Sequence, residues 1–585
     1  MTIRVGRSRR VSVGPVRGDS QRPPNGREDR VTKARSLCRS WDLPYRLERI
    51  GVVTAVIAAR DSEASLGESL ADLRVDIDQL LFLCQSADAK LAGTEVELRE
   101  ALGSGPAREL LLRQLAASRR RYRASTERLL ALSECARSEA PSEPLIERLV
   151  AHRAALADLL RAEQALMAAI VGAADWQSPS FVHSLAPAAG KQAGRIRAHF
   201  NDYKRDRHLD GEEYERELVR TMVDGPDGLG ALLTSCGMAA FTTLLSFLLM
   251  ERRLEGPVVA GAGLYHESRL LLERTLPGRL VVVDECDTAA VVHTIDELAP
   301  SAVFLDSLSN TARMAIPELD SVIERLRGTD TYLVIDNTGL SVGCQPVALA
   351  DESVRLVMFE SLLKYAQLGL DRANAGVIVA RAEDAVRLDQ YREHLGTNIA
   401  DAAVHALPRP DRRVLYRRLA RLERNALYLA ERLAERAPAS VEIVQPGLSS
   451  HPCARAAAGL AFRGSCISIV FGGRSPELRR EHALVEAATA EAAGRGIGLL
   501  GGSSFGFDTT RVYQVAAPAA YGEPFVRVAA GTEHRLALEP LADTLAAAIA
   551  RVAGCSRASS ASPRAGSTSS SKAPAPSNNV APLLD

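Results

Sequence analysis

The sequence has no excess of charge of either sign, because its 585 residues contain 72 Lys and Arg against 72 Asp and Glu. A balanced chain has no overall field that would draw it to nucleic acid or to anionic membranes, so neither partner is expected. The content of hydrophobic residues is 46% and that of charged residues 25%, which is the composition of a globular protein with more than one folded unit.

The nine cysteines never occur as Cys-x-x-Cys. Their scatter argues against a zinc site and against a disulfide framework, and it favours a reducing compartment. The basic N-terminus is not followed by an apolar segment with a small-residue cleavage site, so it does not fit a secretory signal. We therefore expect a cytoplasmic protein without a bound metal.

Long uncharged runs are also scarce, with a single one at residues 231–250. Its length would be enough to span a bilayer. Hydroxyl, thiol and Gly residues fill its first half, and no second such run exists. These features favour a buried helix preceded by a turn, so no membrane association is predicted.

The two ends of the chain lack the large apolar residues of a core. Residues 1–61 are basic with Pro, Gly and Ser between the charges, and residues 554–585 are rich in Ser, Ala and Pro. Both are predicted to be disordered tails. Residues 62–175 instead have helical, coiled-coil-like periodicity, beginning with Leu66, Leu70 and Leu73, and we expect three helices packed on one another or on a partner chain.

After about residue 225, short β-rich runs alternate with helical segments. Such a pattern predicts an α/β domain, at residues 180–435, with a mainly parallel sheet covered on both faces. Weaker strand signals follow a long helical stretch at 409–437 and predict a smaller α+β domain at 436–553. The strongest predicted strands are residues 258–263, 279–284, 302–306, 332–336, 355–359 and 375–380.

Two residues at the ends of predicted strands point to chemistry. Asp336 ends the apolar run YLVID, where a buried carboxylate needs a cationic partner. Lys364 follows the next strand, and partial burial would lower its pKa and make it nucleophilic. The pair suits a pyridine cofactor, whose ring nitrogen Asp336 would keep protonated while Lys364 forms the imine.

Two further segments fit such a cofactor. Cys236, Gly237 and Met238 open an apolar helix, whose N-terminal amides can bind a phosphate. Tyr265 follows the run VVAGAG and would stack on the ring. Each segment alone has a simpler interpretation, since a turn, a surface lysine and a core tyrosine are all common. Their order along the chain carries the prediction.

Over roughly residues 180–553 the sequence resembles the Cys/Met-metabolism family of pyridoxal-phosphate enzymes, the group of cystathionine γ-synthase, cystathionine γ-lyase and methionine γ-lyase. The resemblance rests on SCGMAAF, LYHESRLL, DSLSNTARMAIPELDSV, VIDNT and ESLLKY, and later on SFG and FVRVAAGTEH. It implies the aspartate aminotransferase-like fold type I, pyridoxal 5'-phosphate as cofactor, and an amino-acid substrate.

The resemblance also implies a role for each site residue. Lys364 would be the Schiff-base lysine and, with Tyr265, a catalytic residue, while Ser361 would join Cys236, Gly237 and Met238 at the phosphate. Asn310 would bond the phenolic oxygen of the cofactor, and Ser504 and Arg527 would hold the substrate α-carboxylate. Tyr203 and Arg205, in DYKRDRHLDGEEYEREL, would reach the phosphate of a neighbouring subunit, which implies a homodimer or homotetramer with shared active sites.

Three departures from the family pattern bear on the reaction. Leu363 replaces the threonine before the lysine, the Asn-Pro-Thr after Tyr-x-Arg is missing, and the loop AQLGLDRANAG after Lys364 lacks the usual Gly-His. The implied reaction is elimination or replacement at the γ (or β) carbon, of trans-sulfuration or specialised type. Aminotransferase, decarboxylase and racemase chemistry stay open, as does a degenerate domain that serves as a protein-interaction module.

Overall fold

The computed structural model describes residues 59–100, 105–175, 208–472, 478–515 and 523–559. Tyr203 and Arg205 lie outside these ranges. So do the two predicted tails, except residues 59–61, which belong to the first helix, and residues 554–559, which belong to the last. The domain limits proposed above stay predictions.

The N-terminal region consists of three long helices, α1 Ala59–Glu100, α2 Pro106–Ser138 and α3 Glu143–Asp175. Pro106 stands in the first turn of α2, where its missing N–H costs no hydrogen bond. The apolar stripes predicted from the sequence are buried, with Ile77, Leu115 and Leu149 fully shielded from solvent. We refer to α1–α3 as the helical extension.

A seven-stranded sheet follows, with the order β1-β7-β6-β5-β4-β2-β3. β7 is antiparallel to both of its neighbours, and the other strands run parallel to one another. The predicted α/β class with a mainly parallel sheet is therefore confirmed. The strands are β1 Leu229–Thr234, β2 Val258–Gly261, β3 Leu280–Val283, β4 Ala302–Asp306, β5 Tyr332–Asp336, β6 Arg355–Ser361 and β7 Gly376–Arg381.

Helices cover this sheet on both faces and lead into the next unit. They are α4 Leu209–Met222, α5 Gly237–Met250, α6 His266–Thr275, α7 Thr288–Leu298, α8 Leu319–Leu326, α9 Pro346–Leu349, α10 Ala382–Leu395, α11 Asp401–Ala406 and α12 Arg412–Arg436. The uncharged run 231–250 is not one helix, because its first residues form strand β1 and only the rest forms α5. None of the helices in the described ranges is both long and apolar enough to cross a bilayer.

The C-terminal unit is a five-stranded, mainly antiparallel sheet with the order β10-β11-β12-β9-β8. Its helices pack against one face of the sheet and against α12. The predicted smaller α+β unit is thus present, although only two of its strands were predicted from the sequence. Its elements are β8 Val441–Val444, α13 Ala454–Ala458, β9 Cys466–Phe471, α14 Arg479–Arg495, β10 Leu500–Gly501, β11 Arg511–Val515, β12 Phe525–Ala529 and α15 Arg535–Ser559.

The helical extension is packed on the rest of the chain and does not form a separate core. Its buried leucines belong to one apolar cluster with Leu368, Leu419 and Leu422. Ser69 Oγ and Asp72 Oδ2 accept hydrogen bonds from the first backbone amides of α15, at 3.0 Å each, and so cap that helix. The three helices also pack on one another, which is one of the two arrangements predicted for these stripes.

One disulfide joins Cys286, in the loop after β3, to Cys453, in the loop before α13. The cysteine spacing argued against a disulfide framework and did not predict this bridge. Spacing gave no signal because the two residues are 167 positions apart and meet only in the folded chain.

Candidate active site

A cavity of about 990 Å³ lies where the carboxyl ends of β4, β5 and β6 face the C-terminal unit. This is the edge at which ligands bind in α/β sheets. The predicted site residues within the described ranges all line it, namely Cys236, Gly237, Met238, Tyr265, Asn310, Asp336, Ser361, Lys364, Ser504 and Arg527. The structure therefore brings together residues that are spread over almost three hundred positions of the sequence.

Asp336 and Lys364 both line this cavity, and the charge of each affects the pKa of the other. Burial raises the pKa of the Asp336 carboxyl, and hydrogen bonding from Thr338 and the charge of Lys364 oppose that shift. The backbone amide of Thr338 donates to Asp336 Oδ1 at 2.9 Å. Burial lowers the pKa of the Lys364 amine, and Asp336 opposes it. A lysine held in this way is closer to its neutral, nucleophilic form than a surface lysine.

Lys364 is oriented by the loop that carries Ser504. Its Nζ donates a hydrogen bond to Ser504 Oγ at 2.8 Å and lies 5.5 Å from the ring centroid of Phe505. Ser504 has a φ of 76°, a left-handed conformation that is unusual for a residue other than glycine. The surrounding structure must hold this turn, and strain of this kind is common at functional sites.

The start of α5 and the end of β6 form a polar corner of the cavity. A Cβ atom at Gly237 would lie 2.7 Å from Ser361 Cβ, so only glycine permits this close approach. Cys236 Sγ accepts a hydrogen bond from the amide of Ala239 at 3.3 Å, while Gly237 and Met238 belong to the first turn, whose amides have no acceptor within the helix. Such a corner can bind a phosphate. Leu363 lines the cavity but contributes no hydroxyl.

Two acidic residues that the sequence analysis did not single out accept hydrogen bonds from the backbone at and just before Tyr265. The Tyr265 amide donates to Asp306 Oδ2 at 3.0 Å, and Asp306 ends β4 in register with Asp336. Glu285 accepts from the amide of Gly263, at 2.9 Å to Oε1. Burial raises the pKa of the Tyr265 phenol, so the ring stays neutral. The signal that could have found Asp306 is its position at a strand end beside Asp336.

Arg527 approaches the cavity from β12 and contacts Asn310. Its Nη1 donates to Asn310 Oδ1 at 2.6 Å, and its Nη2 donates to the backbone oxygen of Asn310 at 3.1 Å. The arginine is 4% exposed and lies over the Phe525 ring, with 5.0 Å between its Cζ and the ring centroid. A guanidinium fixed in this way can bind a carboxylate with two parallel hydrogen bonds.

A second cluster of titratable groups, His208, Asp401 and His405, lies away from the cavity, with one candidate ligand atom of each within 4.8 Å of the others. His208 Nδ1 accepts from the amide of Gly211 at 3.3 Å, so the neutral ring carries its proton on Nε2, which lies 2.8 Å from Asp401 Oδ1. A metal at Nε2 would have to displace that proton. The geometry favours an internally paired cluster that joins α4 to α11.

The cavity fits the predicted cofactor. It combines a buried carboxylate, a desolvated lysine, a helix N-terminus and a neutral tyrosine, and its volume falls within the range of about 300–1,000 Å³ that is usual for small-molecule sites. Among solved structures, cystathionine gamma synthase from Xanthomonas oryzae pv. oryzae is similar at a TM-score of 0.51 and 22% identity, over 65% of this chain and 92% of that one. Cystathionine gamma-lyase from Lactobacillus plantarum matches at 0.51 and 18%, over 64% and 92%. At such identities the likeness shows the fold, and the chain has the fold type I architecture of pyridoxal-phosphate enzymes.

The family follows from the sequence match. A model described as Cys/Met metabolism PLP-dependent enzyme matches residues 162–498, and the chain belongs to that family. Its cofactor is therefore pyridoxal phosphate. The bifunctional enzyme flvA of Aspergillus flavus is 25% identical over 344 residues, which are 57% of this chain and 41% of that protein. The chain thus spans about two fifths of the length of this curated relative.

The pKa of Asp306 leads to a prediction about stability. Burial, with the nearby Asp336 and Glu285, raises this pKa well above its ordinary value, so ionising the carboxyl destabilises the folded state. That penalty is absent below the ordinary pKa and grows as pH rises towards the folded-state pKa. In cofactor-free protein, Asp306→Asn should therefore gain stability relative to wild type between about pH 5 and about pH 8, by at most about 1.4 kcal/mol per pH unit.

Urea unfolding of both proteins across this range measures the difference. Asp306→Ala is the control, because it removes the acceptor of the Tyr265 amide as well as the charge and should lose stability at low pH. A constant difference between Asp306→Asn and wild type at all pH values would contradict the prediction.

Proposed function

We propose that this chain catalyses elimination or replacement at the γ (or β) carbon of an amino acid, in the manner of the cystathionine γ-synthase and γ-lyase group. The observation that carries the proposal is the shared cavity, which Lys364, Asp336, Ser504 and Arg527 all line. Family membership supports the same reaction class.

In this proposal different residues bind different parts of the cofactor. Asp336 would pair with the ring nitrogen, and Lys364 would be the residue that binds the cofactor covalently. Gly237 and Met238 would donate backbone amides to the phosphate, joined by the Ser361 hydroxyl. Pyridoxal phosphate, when bound, supplies an electron sink for charge that develops on the substrate carbon atoms.

The remaining groups would hold the substrate and move its protons. Arg527 would bind the α-carboxylate, and Ser504 would lie beside it. Once displaced by the substrate amine, Lys364 would take a proton from Cα and return it further along the side chain. Its lowered pKa suits this exchange, since a base works best when its pKa lies near the working pH. Tyr265, kept neutral by burial, would stack on the cofactor ring.

A homodimer or homotetramer with shared active sites is part of the proposal. Tyr203 and Arg205 would reach the cofactor phosphate of the neighbouring subunit, as the family resemblance implies. Mixing inactive Tyr203→Ala protein with inactive Lys364→Ala protein under subunit exchange should then restore part of the activity, because some sites combine two intact contributions. No recovery, with mixed oligomers demonstrated by mass measurement, would count against shared sites.

The reaction is tested with Lys364→Ala and a panel of amino acids that carry a leaving group at the β or γ carbon. Wild type should show the visible absorption band of bound cofactor. In elimination it should release the leaving group and ammonia in equal amounts, with the corresponding keto acid. In replacement, with an added thiol as the nucleophile, it should release the leaving group and form the substituted amino acid without ammonia. Lys364→Ala should lose the band and reduce turnover by about 10²–10⁴-fold or more.

Lys90→Ala, on α1 and outside the cavity, is the matched control and should behave as wild type. A keto acid that retains its leaving group would indicate transamination and contradict the proposed reaction. Unchanged activity in Lys364→Ala would contradict the role of this lysine.

A further inference from the structure

The helical extension contacts the loop that follows Lys364. Gln79 Nε2, on α1, donates to the backbone oxygen of Leu368 at 3.0 Å. Arg161 Nε, on α3, donates to the next oxygen, that of Gly369, at 3.2 Å. Leu368 and Gly369 have φ values of 53° and 83°, so the loop turns sharply here and uses two consecutive left-handed residues. Two helices of the extension therefore hold the turn at consecutive carbonyl groups.

The same arginine reaches the loop that carries Ser504. Arg161 Nη2 donates to Asp508 Oδ2 at 2.6 Å. Arg418, on α12, donates to Asp508 Oδ1 at 2.9 Å and to the backbone oxygen of Gly506 at 2.8 Å. Asp508 is thus bracketed by two guanidinium groups, one from the extension and one from α12. Gln79 Oε1 in turn accepts a hydrogen bond from Arg418 Nη1 at 3.2 Å, which closes the network.

The charges in this network are mutually dependent. Burial opposes ionisation of Asp508, but the guanidinium groups of Arg418, Arg153 and Arg161 outweigh it and hold the pKa of the carboxyl below its ordinary value. A buried carboxylate of this kind needs its partners, and removing one of them weakens the whole arrangement. Arg161 therefore stabilises the charged form of Asp508 as part of this network.

The two loops meet at Lys364 with little free space. A Cβ atom at Gly506 would lie 3.0 Å from the backbone carbon of Lys364, and Gly506 has a φ of 89°. Ser504 Oγ accepts the hydrogen bond of the Lys364 amine. A shift of the segment between Ser504 and Asp508 would therefore change the position of both groups in the cavity.

We propose that the helical extension is a positioning element of the active site, in which Arg161 and Gln79 fix the two loops that carry Lys364 and Ser504. This inference rests on the proposed function, because it assigns the two loops to catalysis and substrate binding. The loop after Lys364 lacks the Gly-His of the family pattern. In this proposal the helical extension, which lies outside the family's own domains, supports that loop.

The test compares Arg161→Gln and Arg161→Lys with Arg148→Gln. Arg148 lies in the second turn of α3 and pairs with Glu139, so its loss removes an ion pair of the extension without touching either loop. Activity is expressed per cofactor-loaded site, counted from the visible absorption band. Arg161→Gln should raise the KM for the amino acid and lower kcat, with a combined loss of about 10²-fold in kcat/KM. Arg161→Lys, which keeps the charge, should recover part of the loss.

KM separates positioning from general destabilisation. A loss of folded protein lowers the number of loaded sites and leaves KM unchanged, whereas displaced loops raise KM in the sites that remain loaded. Gln79→Ala removes one neutral hydrogen-bonding side chain and provides a milder variant that should fold, with a KM increase of a few-fold. Kinetic constants equal to those of Arg148→Gln in both Arg161→Gln and Gln79→Ala would overturn the inference.

Failure of the proposed function would look different. In that case Lys364→Ala would keep its activity, or no amino acid would lose its leaving group, whatever happens at Arg161. A normal Lys364→Ala result together with an unchanged KM in the Arg161 and Gln79 variants would refute the positioning role alone.

Discussion

The active site is built around the electrostatic attraction between one buried carboxylate, Asp336, and one desolvated amine, Lys364. Asp336 ends β5 and Lys364 follows β6, so two neighbouring parallel strands deliver them to the same cavity. Burial shifts the pKa of each group towards its neutral form, while the charge of each opposes the shift of the other. Neither group would be tolerated at such depth in isolation. Together they offer a ring-shaped cofactor an acceptor at one end and a nucleophile at the other.

Several neighbouring groups fix the backbone around this pair. Gly237 allows the start of α5 to approach Ser361, which places helix amides beside the end of β6. Asp306 and Glu285 fix the backbone around Tyr265 through hydrogen bonds to main-chain amides. Ser504 and the helical extension then secure Lys364 from the other side. The extension shares its apolar core and its buried ion pairs, such as that of Asp72 with Arg421, with the catalytic unit. Breaking a buried pair of this kind typically costs about 3–5 kcal/mol, so the extension is an integral part of the fold.

The sequence predicted much of this, and the failures have physical reasons. β4, β5 and β6 were found because strands buried on both faces are continuous apolar runs, and the residues after them were examined because ligands bind there. β1 was missed because its apolar residues merge with those of α5 into one uncharged run. The importance of Asp306 depends on the register of β4 against β5, which no local pattern contains. The Cys286–Cys453 disulfide and the contacts of Arg161 join residues far apart in the chain. Helical periodicity predicts that the apolar stripes of the extension are buried, but it does not identify the part of the protein that covers them.

Attachment of the cofactor to Lys364 can be located chemically in the purified protein. Reduction of the purified holoprotein with borohydride makes the bond between cofactor and lysine permanent, and mass spectrometry of its peptides then identifies the modified residue. We expect a single pyridoxyl group, on the peptide that contains Lys364. A pyridoxyl group on another lysine, or cofactor that is bound but never covalently attached, would contradict this expectation.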